Sequence, residues 1–134
     1  FLQPARQHGR ARAAIAFAIE VFGRGGAVVN GQVALDEHGN LVGENDFAAQ
    51  ARQVFRNVER ALRAVGQDFS SVVKFTTFLV FSNDIPAFYA VRKELFPELF
   101  PHGGYPPNTL LVVDRLVRSE FLVEIEAIAA WAVE

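Results

Sequence analysis

The sequence predicts an α+β fold: a two-layer sandwich of one mostly continuous sheet and two helices, in the order β-β-α-β-α-β-β. Three observations carry that expectation. Stretches rich in β-branched and aromatic residues open the chain, sit in its middle and close it. Between them lie two segments whose apolar residues recur at helical spacing. Both segments begin at Asn or Asp and are closed off by Gly or Pro.

The chain has 134 residues, 51% of them hydrophobic and 21% charged, enough apolar material for one packed domain. The formal net charge of -2 gives no electrostatic reason to expect a nucleic-acid or membrane-surface partner. No apolar run reaches the length of a membrane span and no signal peptide is visible, so the cytoplasm is the expected compartment. Cysteine is absent, which removes thiolate catalysis, disulfides and Cys-based zinc sites.

Residues 1–12 show no clean period and read as a leader, loose or docked on a partner, ahead of a single domain over 13–134. Ala13–Val21 and Ala27–Leu35 have strand composition, and Gly23–Gly26 between them reads as a hairpin turn. Asp36–Asn40 is a second turn. Asn45 or Asp46 caps a helix closed by Gly66, with Phe47, Ala51, Val54, Phe55, Val58, Leu62 and Val65 as its apolar stripe and Gln50, Gln53 and the arginines mostly off it. Ser71–Phe81 is a strand. Asn83 or Asp84 caps a second helix bearing Phe88, Val91 and Leu95, which Pro97 ends. Prolines and glycines break Pro101–Asn108, Thr109–Val113 resumes a strand, and Phe121–Val133 is the last. The strands carry large apolar residues on both faces, whereas the helices cover one face. The other face therefore calls for a second cover, most simply copies of the same chain.

Three stretches could carry chemistry. Asn30-Gly31-Gln32 places polar residues inside an apolar strand: either a bulge, or a place where a ligand approaches the backbone. Glu124 and Glu126 differ by two, so both project from one face of a strand, and a buried carboxyl of raised pKa can act as general acid or base. Asn108 and Thr109 are compact hydrogen-bonding groups where the Tyr105–Asn108 loop enters a strand. His8, His38 and His102 lack metal-ligand spacing, and no phosphate-cradling loop, dinucleotide fingerprint or nucleophile elbow is present, so neither metal nor cofactor is expected.

In their order and spacing these motifs resemble the RidA/YjgF family. Val28–Leu35 is similar to the family strand that usually reads Ser-Gly-Gln. Asn45–Gly66 resembles its first helix, Val72–Val80 the following strand, and Leu122–Ala130 its C-terminal signature. The resemblance implies a chorismate-mutase-like fold and a homotrimer with small-molecule clefts between subunits. It also implies hydrolysis of enamines and imines, with a glutamate positioning water and an arginine pairing with the substrate carboxylate. Glu124 takes the glutamate's place. Asn108 stands where the arginine is expected, Asn30 replaces the usual serine, Phe17 the N-terminal tyrosine, and Tyr89 a frequent asparagine. Phe17, Phe88 and Tyr89 would form apolar walls, while Asn108, Thr109, Asn30 and Gly31 would hold the polar head. Because an amide lacks the guanidinium's charge and fork, substrate choice is expected to differ, with Arg92 or Arg115 as possible replacements. A non-catalytic metabolite-binding or regulatory trimer is the alternative. An endoribonuclease, an activity sometimes assigned to the family, fits the acidic balance poorly.

Overall fold

The computed structural model describes residues 2–4, 16–21 and 23–133. A six-stranded sheet is assembled in the order β1 (Leu2–Pro4), β2 (Ala16–Val21), β3 (Arg24–Gln32), β6 (Val123–Ala132), β4 (Val72–Leu79), β5 (Asn108–Val112). Helices α1 (Phe47–Ala64) and α2 (Ile85–Leu99) complete the two-layer α+β fold. Leu2–Pro4, inside the stretch read as a leader, pairs antiparallel with β2 from Leu2↔Ile19 to Pro4↔Phe17.

Several boundaries differ from the sequence expectation. The Gly23–Gly26 turn is shorter than its glycines suggest: Val21 pairs with Arg24, so Gly23, at φ +72°, belongs to the turn while Gly25 and Gly26 are strand residues. Gly25 is needed there because a Cβ would meet the Trp131 ring at 2.2 Å. Strand β3 stops at Gln32 instead of Leu35. Asp46, not Asn45, caps α1, its carboxylate accepting from the Ala49 amide at 3.1 Å. Pro97 does not end α2, which runs on to Leu99. A proline in the last turn removes one amide bond, and the Phe100 amide still closes the helix on the Phe96 carbonyl at 2.8 Å.

Alternation along the central strands divides the sheet into two faces. Val29 on β3, Phe75, Thr77 and Leu79 on β4, and Val123, Ile125 and Ala127 on β6 are buried beneath the helices with Val54, Phe55, Val58, Leu62, Phe88 and Phe96. Phe55 meets Phe75 edge-on with centroids 6.1 Å apart, Phe96 at 5.5 Å, and stacks near Phe88 at 6.3 Å. Among the described residues no helix covers the opposite face. Val28 and Ile128, cross-strand partners at its centre, are 55% and 47% exposed. Among the described residues no helix is long and apolar enough to cross a membrane.

Candidate functional site

Glu124 lies on the open face of β6, opposite Phe78 of β4. On its other side β3 is irregular. Val29 pairs with Ala127 and Gln32 with Ile125, so two residues, Asn30 and Gly31, oppose the single Glu126. This bulge brings Gly31 against the Glu124 side chain: a Cβ there would stand 2.7 Å from Cδ and 3.0 Å from Oε2. The Asn-Gly-Gln and Glu-Ile-Glu motifs, about ninety residues apart, thus meet at one carboxylate. Gln32 turns inward, its side-chain amide donating to the Asn30 carbonyl at 2.8 Å, while Asn30 is exposed. Burial raises the Glu124 pKa, and the neighbouring Glu126 adds to that shift. No ion pair to Glu124 or Glu126 is found among the described residues. A half-buried carboxyl without a counter-ion holds its proton more readily than a free glutamate, which suits a general acid or base.

The two residues at the start of β5 point to opposite faces. Thr109 lies on the open face, where its hydroxyl is bonded by Lys74 Nζ. Asn108, paired with Phe75, is turned toward the helices: the fully buried Thr77 donates its hydroxyl to Asn108 Oδ1 at 2.8 Å. Asn108 Nδ2 is buried without a partner. Within one chain, therefore, the structure brings Gly31 and Glu124 together, with Asn30 beside them on the bulge. Asn108 lies across the sheet from them.

Phe88 is buried against Phe55, leaving little of it to line a cleft. Tyr89 is half exposed and edges against Phe88 at 5.6 Å. The backbone of Phe17 pairs with Val28, and its side chain lies outside the described residues, as does all of His8. Among the described residues no cluster of three or more acidic or histidine side chains converges as a metal site.

Two glutamines that looked solvent-facing in the sequence are buried. Gln50 is fully enclosed, donating to the carbonyls of Gly43 (3.0 Å) and Glu120 (2.8 Å) and accepting from the Leu122 amide (2.9 Å). It pins the segment entering β6 two residues before Glu124. Gln53 donates to Asn57 Oδ1 at 3.0 Å, and Asn57 in turn donates to the carbonyls of Val33 (2.9 Å) and Leu35 (2.8 Å), fixing the chain as it leaves Asn30-Gly31-Gln32. The signal was present: Gln50 stands three residues after Phe47 and four before Val54, inside the apolar period.

Comparison with known proteins bears on the family of the chain. The family profile described as endoribonuclease L-PSP matches residues 10–131. A RutC family protein of Synechocystis is 35% identical over 100 residues, covering 74% of this chain and 73% of the relative. A 2-iminobutanoate/2-iminopropanoate deaminase of Salmonella typhimurium is 33% identical over 102 residues, covering 76% and 77%. Among solved structures, the YjgF gene product of E. coli superposes with a TM-score of 0.71 at 29% identity over 84% of each chain. E. coli TdcF with bound serine reaches 0.73 at 27% identity over 86% of each. The order of motifs, the two-layer fold with one bare sheet face, and these matches together place the chain in the endoribonuclease L-PSP family, the RidA/YjgF family that its sequence resembles.

Proposed function

We propose that this protein is a RidA-like hydrolase that deaminates an imine or enamine in a cleft between subunits of a cytoplasmic homotrimer, with a substrate choice altered by Asn108. The observation that carries the reading is the half-buried Glu124 carboxyl, without a counter-ion, set against the bare backbone of Gly31. An enamine first tautomerises to its imine. Water then adds to the imine carbon as its proton passes to a Glu124 carboxylate oxygen, and the C=N π pair moves to nitrogen, which takes up a proton. Collapse of the carbinolamine re-forms C=O and expels ammonia. The opposite facing of Asn108 and Glu124 within one chain supports a site completed by a second subunit, with Asn108 and Tyr89 from one and Glu124 with Gly31 from the other.

Ammonia release from 2-aminoacrylate and related imines generated in place tests this. Glu124→Gln is expected to lose about 10²- to 10⁴-fold in turnover while binding a 2-oxo acid unchanged. Undiminished turnover in Glu124→Gln removes the mechanism.

One feature favours a second reading, a trimer that binds a metabolite without turning it over: the Asn108 amide carries no charge and its oxygen is already engaged by Thr77. Silence of the wild type together with turnover in Asn108→Arg would support it. Ribonuclease action is disfavoured by the net charge of -2, and steep salt dependence of RNA binding would restore it.

A further inference from the structure

A substrate carboxylate meets no cation at position 108, and the two arginines that could stand in are in different states. Arg115 is committed to its own loop: Nε donates to the Leu116 carbonyl at 3.1 Å and Nη2 to that of Val117 at 3.4 Å. Arg92, in the middle of α2, makes no ion pair or hydrogen bond among the described residues. None of the positions a helical turn away from it (Phe88, Tyr89, Leu95, Phe96) is acidic.

What holds Arg92 is aromatic. Its guanidinium carbon lies 4.7 Å from the Phe96 ring centroid and 5.7 Å from that of Tyr89. A cation held over ring faces keeps its N–H donors free for another partner. The Phe96 ring is shared, since Tyr105 stands edge-on to it with centroids 5.1 Å apart, and Tyr105 opens the Tyr-Pro-Pro-Asn run that delivers Asn108. Tyr89 and Tyr105 are each about half exposed, whereas Phe96 beneath them is buried. The result is a strip along α2 and the following loop that presents a half-buried guanidinium over Phe96 and beside the partly exposed Tyr89, with Tyr105 edging the same Phe96 ring. A fork of unspent donors beside apolar walls suits a small carboxylate with an apolar substituent.

We infer that Arg92 is the specificity-determining cation of this protein: it pairs with the substrate carboxylate in the place of the arginine that Asn108 replaces, with Tyr89 and Tyr105 flanking the substrate's side chain. The inference rests on the reading of an intersubunit cleft in which Glu124 of one subunit faces the α2 strip of the next. Arg92 moves no proton and acts on binding.

The test separates the two readings by using binding without turnover. The full chain is titrated calorimetrically with 2-oxobutanoate and with its uncharged analogue 2-oxobutanamide. Wild type is expected to bind the acid about 10- to 100-fold more tightly than the amide. Arg92→Met, which keeps the length that lies over the rings, is expected to bring the acid down to the amide's affinity and leave the amide unchanged. Arg92→Lys, a charge without a fork, is expected to fall between. No preference for the acid in wild type, or an unchanged preference in Arg92→Met with the fold intact by circular dichroism, overturns the inference. If Arg92→Met loses the preference while no imine is hydrolysed, the carboxylate site stands and the hydrolase reading falls. If imines of 2-oxo acids are hydrolysed with the same KM in wild type and Arg92→Met, the hydrolase reading stands and the Arg92 assignment falls.

Discussion

Glu124 is the residue proposed to activate water, and its raised pKa has a defined sign for stability. Folding raises its pKa above the value in the unfolded chain, so its stabilising contribution is complete below the ordinary glutamate value. That contribution is lost as pH rises through the higher folded value. Asp68 runs the other way: bonds from the Ser70 hydroxyl and amide lower its pKa, and its contribution fades as pH falls through the folded value. Denaturant midpoints measured across this range in wild type and Glu124→Gln should therefore diverge, the variant losing less stability on the alkaline side of the glutamate range. Equal slopes would mean that Glu124 titrates as in the unfolded chain. Gly31 offers a complementary probe. A methyl there would meet the far end of the Glu124 side chain, which can swing away at little cost to the fold. Gly31→Ala is thus expected to cut turnover at least tenfold while shifting stability by less than about 1 kcal/mol. The pair of residues could be picked out from the sequence as polar and glycine positions within strands. Their contact could not, because it depends on a two-against-one bulge whose register only the assembled sheet defines.

Among the elements, α1 contributes more than an apolar stripe. Its buried amides act as clamps beside the two strands that carry the candidate site, and the fully enclosed Gln50 is the clearer one to test. Gln50→Leu would keep the volume and strand the Glu120 carbonyl and the Leu122 amide, a loss of about 3 kcal/mol readable as a lower denaturant midpoint at constant m-value. A midpoint within experimental error of wild type would mean that solvent or neighbouring groups replace all three bonds. At the far end of the sheet, Gly25→Ala drives a Cβ into the only tryptophan. It should cost about 1–3 kcal/mol and shift the tryptophan emission, whereas Gly26→Ala, with its nearest contact at 3.6 Å, should do neither. The start of α1 was legible from its Asp46 cap and the helical stripes from periodicity, whereas Asp84 stands at the start of α2 without a capping side-chain bond. The persistence of α2 past Pro97 was not, because one missing amide bond in a last turn is outweighed by the packing of Phe96 and Phe100 against Tyr105 and each other.

The described residues form a sheet with one helical layer and one side that none of their helices covers. Val28 and Ile128 sit exposed and paired at the centre of that side, flanked by Lys74, Thr76 and Phe78 of β4. An exposed apolar pair at the centre of a sheet face suits a surface that another copy covers. Ile128→Lys is expected to reduce the sedimentation coefficient from that of a trimer to that of a monomer and to abolish turnover with it. A monomeric wild type would remove both the trimer and the shared cleft. Sequence by itself determined the α+β class, the order of the middle and C-terminal elements, the absence of thiol chemistry, and the identity of Glu124, Gly31 and Asn108 as residues of interest, since periodicity, caps and residue chemistry are local properties. Tertiary structure alone decided that β6 lies between β3 and β4, that β5 runs parallel to β4, that Gly31 meets Glu124 and that Asn108 faces away from both. Those are matters of strand pairing and register, and a one-residue slip in register exchanges the two faces of a sheet without changing a single local preference.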